Sequence, residues 1–350
     1  MELRTGADGG TGTHRTAVAA RPGRVGEPHD ARFLDAEYVL PLRWERDDDL
    51  ADLTAYLRDL ARHVPVTVVD GSPPARFAAH AAAWGTTVRH VRPAPWPGAN
   101  GKVGGVMTGV RLARADAVVI ADDDVRWTPA QLRTAVGMLA DADVVRVQNV
   151  FRPLPWHARW DTARTLVNRG LGEDFPGTLV VRRTTLLRAG GYAGDVLFEN
   201  LELLRTIRAV GGTERRAPGL FVARRPPSAR YFWSQRVRQA YDSLAQPSRL
   251  VAEAAVLPVL AWSALRHRPG PAVVLGAAAV LVAWRGRERA GGAAVFPATS
   301  AALAPVWVLE RAVCSWLALG RRVTGGMPYR GRRLVRAASR PRDLRRRCTL

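Results

Sequence analysis

Residues 117–124 read AVVIADDD. A short apolar run stops at three consecutive aspartates. A buried strand has no place for free carboxylates, so the chain leaves the core where the acids begin. Acids at the C-terminal end of a strand stand where α/β sheets gather their ligands. The spacing Asp122-x-Asp124 suits the holding of a divalent cation against a diphosphate, because Mg²⁺ and Mn²⁺ take carboxylate and phosphate oxygens. Alone, the pattern reads first as a solvated acidic turn, like Asp47-Asp48-Asp49 earlier in the chain. Its meaning depends on its surroundings.

Those surroundings alternate. Strands are predicted at Glu37–Leu42, 64–69, 87–91, 117–121 and 144–150. Helices are predicted at 47–63, 75–84, 103–113 and 129–140. In the first helix Leu50, Leu53, Leu57 and Leu60 recur on one side. Thr128 opens the last. Alternating strands and helices imply an α/β fold with a mainly parallel, Rossmann-like sheet. Asp70 and Asp122 both fall at strand C-termini, so the pattern predicts that they face one pocket.

The chain has 350 residues, 47% of them hydrophobic, and a formal net charge of +21. That length holds one large domain or two small ones. Lys102 is the only lysine; every other basic residue is arginine. A drift toward arginine would have acted at position 102 too, which makes the retained lysine a candidate for a specific role. Strong positive charge has three usual partners: nucleic acid, an anionic membrane or an anionic substrate. Residues 321–347 hold eleven arginines and one acid, Asp343. No zinc-finger spacing or RNA-binding aromatic motif accompanies them, so a nucleic-acid partner is not expected. Two cysteines, Cys314 and Cys348, exclude a disulfide framework. The seven histidines show no metal-ligand spacing. Residues 1–34, rich in Gly, Thr and Arg and without an apolar run, read as a disordered tail with no signal peptide.

Beyond residue 250 three apolar stretches follow, 250–265, 271–284 and 293–309, separated by basic linkers. Each falls short of the roughly 20 residues that cross a bilayer comfortably. They read as short spans or interfacial helices, with residues 308–319 interfacial. Arginine-rich ends stay cytoplasmic. A cytoplasmic catalytic domain would then require an even number of crossings: two spans plus an interfacial segment, or a wholly interfacial set. The domain plan is a tail at 1–34, an α/β domain at 35–249, membrane-associated helices at 250–320 and a basic tail at 321–350 that meets anionic lipid.

Six places in order resemble the inverting family 2 glycosyltransferases of GT-A fold, in particular their membrane-bound ceramide glucosyltransferase-like and polysaccharide-synthase-like members. They are Pro41-Leu42-Arg43-Trp44-Glu45, Asp70-Gly71-Ser72, Asn100-Gly101-Lys102, Asp122-Asp123-Asp124, Glu199-Asn200-Leu201-Glu202-Leu203 and Gln235-Arg236-Val237-Arg238-Gln239. The resemblance spans about residues 38–243. It implies a metal-dependent transfer of a hexose from a nucleotide-diphosphate sugar, UDP by default, to a lipid or lipid-linked acceptor at the cytoplasmic membrane face. Pro41, Glu45, Asp70, Lys102, Asp122 and Asp123 would bind the nucleotide sugar. Asp124, with Asp122, would hold Mg²⁺ or Mn²⁺. Arg238 would stabilise the diphosphate and Gln235 would help bind acceptor or sugar. Asp174, Gly177 and Thr178 would line the acceptor side.

The sequence departs from the pattern at the base. Where the family has Glu-Asp it has Glu199-Asn200, and an amide cannot accept a proton usefully, so Glu199 becomes the expected general base. Gln239 stands where the family has tryptophan, and the N-terminal span is missing. Asn200 also motivates an alternative, a membrane-tethered nucleotide-sugar-binding protein without turnover.

Overall fold

A computed structural model describes residues 33–45, 49–172, 174, 177–329 and 331–348. The expected tail falls outside the described residues except for Phe33 and Leu34, as do Asp47 and Asp48 of the acidic turn. The elements of the first half are β1 (Glu37–Leu42), α1 (Leu50–Leu60), β2 (Val66–Asp70), α2 (Pro74–Trp84), β3 (Arg89–Val91), α3 (Gly101–Leu112), β4 (Ala117–Ile120), β5 (Val125–Arg126), α4 (Pro129–Gly137), β6 (Val144–Phe151) and α5 (Trp156–Leu171). Then come β7 (Leu179–Arg182), α6 (Arg183–Arg188), α7 (Glu199–Ala209), β8 (Glu214–Arg224), α8 (Ala229–Ser234) and α9 (Arg236–Tyr241). The last are α10 (Pro247–Leu265), α11 (Gly270–Glu288), α12 (Ala298–Ala302), α13 (Ala304–Val323), β9 (Met327–Tyr329), β10 (Arg332–Leu334) and α14 (Pro341–Cys348).

Eight strands form one sheet in the order β3-β2-β1-β4-β7-β6-β8-β5. The first four are parallel, as the alternation predicts. The second half differs: β7 runs antiparallel to both β4 and β6, and β5 runs antiparallel to β8. The sheet is therefore mixed. β6 and β8 pair parallel to each other, while β7 and β5 reverse direction on either side of them.

Two apolar layers cover the sheet. On one side Leu53, Leu57 and Leu60 of α1 and Leu132 and Ala135 of α4 pack on Tyr38, Leu40, Val66 and Val68. On the other, Val103, Val106, Met107 and Val110 of α3 meet Val39, Val118, Ile120 and Val181. α3 lies unusually close to β1 because it carries glycine at the contact. A Cβ on Gly105 would stand 2.9 Å from Pro41 Cβ, and one on Gly109 would collide with Val39. This approach brings the start of α3, and with it Lys102, to the carboxyl edge of the sheet. The helix is capped there by Asn100, whose side chain accepts from Lys102 N at 3.1 Å.

The C-terminal helices pack on the sheet domain rather than standing apart from it. Ala279 and Ala283 of α11 join Ala163, Leu166 and Val167 of α5 in one cluster with Phe296 and Trp307. Among the described residues one helix, α10, is long and apolar enough to cross a membrane, with mean hydropathy 1.4. The expected third stretch, 293–309, is not one helix: it breaks across a 3₁₀ turn, α12 and the start of α13. α13 also buries Arg311, at 3% exposed, on its protein-facing side.

The basic C-terminus is not a free tail. Leu197 N and Phe198 N donate to Arg336 O and Ala337 O at 3.0 and 2.8 Å. Glu202, fully buried, accepts from Ser339 N at 2.6 Å. Leu334 and Ala337 are buried with Leu197, Tyr241 and Cys314. The apolar positions between the arginines are what hold this segment down.

Candidate active site

A cavity of about 1160 Å³ opens at the carboxyl edge of the sheet. Its wall includes Pro41, Glu45, Lys102, Asp122, Asp123, Asp124, Gly177, Glu199, Asn200, Gln235 and Arg238. The strand-end loop after β4 thus meets the starts of α3 and α7 and the helices α8 and α9.

Lys102 is the hub. Its Nζ lies 2.5 Å from Asp122 Oδ1 and 3.0 Å from Glu199 Oε1. Burial opposes the ammonium charge, but the two carboxylates outweigh it and hold the group well above the usual lysine range. In turn, burial pushes the Asp122 carboxyl up while Lys102 and Arg224 pull it lower still, leaving it below the ordinary value. Gly177 is placed against this pair; a Cβ there would collide with Asp122 Oδ2. Asn200 lies next to it, its Nδ2 3.6 Å from the same point.

Asp123 accepts from Trp44 Nε1, whose backbone N donates to Ser72 Oγ at 2.8 Å. Asp124 Oδ2 accepts from Arg224 Nε at 2.6 Å. Its other oxygen, Oδ1, is buried without a hydrogen-bond partner among the described residues. Burial pushes the Asp124 carboxyl up to about 6, Asp122 and Asp123 add to the rise, and Arg224 opposes it. A buried acceptor left open beside two further carboxylates is the place a hard cation fits. The residues present therefore suit a divalent ion, with Asp124 Oδ1 as the free ligand oxygen.

On α9, Arg238 Nη1 donates to Gln235 Oε1 at 3.2 Å, and its guanidinium sits 5.4 Å over the Tyr329 ring. Gln235 therefore orients Arg238. Tyr329 OH donates to Asn100 Oδ1 at 3.1 Å, so the strand β9 closes the wall beside the cap of α3.

Three expected site residues stand elsewhere, and a fourth lies at the rim. Asp70 is fully buried behind the wall. Its Oδ2 lies 2.7 Å from His80 Nδ1 and 3.0 Å from His90 Nε2, and its Oδ1 accepts from Ser72 N at 2.8 Å. Both oxygens are engaged, so Asp70 shapes the loop that carries Gly71 rather than facing a base. The same contacts correct the reading of the histidines, since α2 and β3 bring two of them to one carboxylate. Asp174 turns into the protein, accepting from Gln148, Arg164 and Asn168 at 3.0, 3.2 and 3.0 Å. Thr178 is fully buried and donates to Asn149 Oδ1 at 2.9 Å. Glu45 lies at the mouth, paired with the exposed Arg43 at 3.1 Å. An acid in a loop reads the same from sequence whether it meets solvent, ligand or arginine.

The cavity also holds residues that no motif marked: Arg224, Asp242 and Arg311. Asp242 follows Gln235 and Arg238 at helical spacing, the one signal that could have found it. Burial pushes its carboxyl up to about 7, with Arg238 opposing. Between about pH 4 and 7 the folded chain then holds a proton that the unfolded chain has released. Stability falls as pH rises through that window and stays lower above it. Asp242→Asn is expected to unfold at higher temperature than the wild type. The gap should widen from pH 5 to pH 8 toward an upper bound of about 4 kcal/mol. A gap that stays flat across this range in thermal melts would show that Asp242 carries no such shift.

Strand-end carboxylates, a lysine and an arginine thus meet around one cavity. Residues 47–193 match the model of glycosyl transferase family 2. No curated protein matches it. Solved structures similar to it include the mannosyltransferase PcManGT from Pyrobaculum calidifontis in complex with GDP-Man and Mn²⁺. That match has 20% identity, 82% of this chain and 88% of that one covered, and a TM-score of 0.48. Mannosyl-3-phosphoglycerate synthase from Rubrobacter xylanophilus is similar at 16% identity, over 57% and 69% of the two chains, with a TM-score of 0.38. The M. tuberculosis glucosyl-3-phosphoglycerate synthase is similar at 20% identity, over 55% and 72%, with a TM-score of 0.37.

Proposed function

We propose that this glycosyltransferase moves a hexose, with inversion, from a nucleotide-diphosphate sugar to a lipid or lipid-linked acceptor at the cytoplasmic membrane face. The observation that carries the reading is the single cavity in which Lys102 bridges Asp122 and Glu199 while Asp124 keeps one buried oxygen free. Asp124, with Asp122 beside it, would hold Mg²⁺ or Mn²⁺. When bound, the ion would act as a Lewis acid that steadies the departing diphosphate. Arg238, oriented by Gln235, donates to the same developing charge. Lys102 fixes Asp122 and Glu199 in place. The acceptor nucleophile either meets a base, for which Glu199 is the carboxylate in place, or arrives already ionised. Asn200 can hydrogen-bond the sugar or acceptor but cannot take up a proton.

The lipid side of the reading rests on the C-terminal helices. Leu265, Val273, Val274, Leu281, Trp284, Trp316 and Leu317 are all exposed on α10, α11 and α13. Arg266, Arg268, Arg285 and Arg289 stand at the ends of α10 and α11. Apolar side chains rimmed by arginine suit a bilayer with anionic headgroups. The test is one incubation of the purified chain with phosphatidylglycerol vesicles, Mn²⁺ and a panel of UDP- and GDP-sugars. The chain is expected to float with the vesicles and to release nucleotide from one donor only when metal is present. Failure to float sinks the membrane reading; nucleotide binding without release favours the non-catalytic alternative.

A further inference from the structure

Arg311, 3% exposed on α13, lines the cavity and stacks 5.3 Å over the Trp307 ring. Its Nε and Nη1 are buried and have no hydrogen-bond partner among the described residues. Two of the acids around it, Glu253 and Glu310, are already engaged. Glu253 accepts from Arg249 and Ser315 at 2.9 and 2.8 Å. Glu310 accepts from Arg236 and Trp160 at 2.6 and 3.1 Å. Arg236, equally buried, shows what a structural arginine looks like in this fold: it is tied to Asp161 at 2.8 Å as well as to Glu310. A buried cation without a counter-ion is destabilising by several kcal/mol. Burial indeed pushes the Arg311 guanidinium down to about 10, with Glu253 only partly opposing. A group kept in that condition and turned to a cavity is a binding group in want of an anion.

The transfer position supplies a second observation. Asp122 and Glu199 share Lys102, Asp123 is bonded to Trp44, Asp124 is paired with Arg224, and residue 200 is an amide. This is a poor setting for removing a proton from a hydroxyl. A phosphate monoester needs no such help, since its oxygens are anionic near neutral pH. Asp242 lines the same cavity, and its charged neighbours are Arg238, Glu199, Arg311 and Arg249.

We propose that the Arg311 end of the cavity binds a phosphate group on the acceptor, with Arg249 beside it, and that an oxygen of this phosphate is the nucleophile. The phosphate oxygen would give an electron pair to the anomeric carbon, forming a sugar–O–P bond. The bond from that carbon to the diphosphate would break with its electrons, releasing nucleoside diphosphate. No proton changes hands. The phosphate belongs either to a lipid alcohol or to a soluble ester. The proposal rests on the nucleotide-sugar reading above, and the experiment separates the two.

Calorimetry on the full chain in detergent first measures binding of UDP and GDP with Mn²⁺. With nucleotide saturating, farnesyl phosphate, glycerol phosphate and farnesol are then titrated. The phosphates are expected to bind at least about tenfold tighter than farnesol. Arg311→Met is expected to weaken them by ~10- to 100-fold while nucleotide affinity holds within about twofold and Tm stays level or rises. Arg311→Lys should retain most phosphate affinity and serves where the methionine variant does not fold. Farnesyl phosphate binding far above glycerol phosphate assigns the phosphate to a lipid; equal binding assigns it to a soluble ester. Farnesol binding as well as the phosphates overturns the proposal. So does phosphate affinity unchanged in Arg311→Met, or lost only in step with Tm and nucleotide affinity. Phosphate binding without nucleotide binding in the wild type removes the donor reading alone.

Discussion

Asp124→Asn is expected to abolish sugar transfer, lowering turnover by on the order of 10³-fold, the size of several kcal/mol of lost charge stabilisation. The substitution keeps the shape of the side chain and an oxygen for Arg224 Nε, which now bonds Asp124 Oδ2 at 2.6 Å. It removes the charge at the free, buried Oδ1. The expected loss is therefore of cation binding and not of fold. Thermal melts with nucleoside diphosphate read this directly. Added Mn²⁺ should raise the wild-type Tm by mass action, and should leave the variant where it was. A variant that keeps both its turnover and its response to Mn²⁺ would remove Asp124 from the metal site.

Lys102→Met is expected to be the most destabilising single change in the cavity. Its ammonium is the shared partner of Asp122 and Glu199, at 2.5 and 3.0 Å. Taking one member from a part-buried ion cluster costs up to about 3–5 kcal/mol, because the remaining charges lose their compensation. For a chain of this size the fall in Tm should be on the order of 5–10 °C. Lys102→Arg restores the charge but not a compact ammonium that can sit between two carboxylates. It should recover part of the stability and less of the donor affinity. A melt of Lys102→Met at pH 7.5 that matches the wild type would show that the two acids do not depend on it. The dependence explains why lysine persists here in a chain whose other basic residues are arginine.

How far the site could be read in advance differed from residue to residue. Asp122, Asp123 and Asp124 were legible because an apolar run ending in acids has only one place in a strand-based fold. Lys102 was legible as an isolated lysine at the head of a small-residue helix. Asp174 and Thr178 were expected beside the acceptor, yet one is bound by Gln148, Arg164 and Asn168 and the other by Asn149. Asp70 was expected to face the nucleotide, and two histidines claim it instead. Arg224 pairs with Asp124 across a separation of 100 residues, and no local pattern singles it out among so many arginines.

The sequence by itself determined β1 to β4, β6 and α1 to α4, and the end of β4 as the place for carboxylates. Hydrophobic periodicity and capping act between neighbours along the chain, so they can be read there. Only the tertiary structure decided the antiparallel turn of β7, the return of Tyr329 onto the cavity wall, and which acid met which base. Those outcomes rest on competition among many similar charged groups for a few buried partners. Such competition is resolved by where packing puts each group in space.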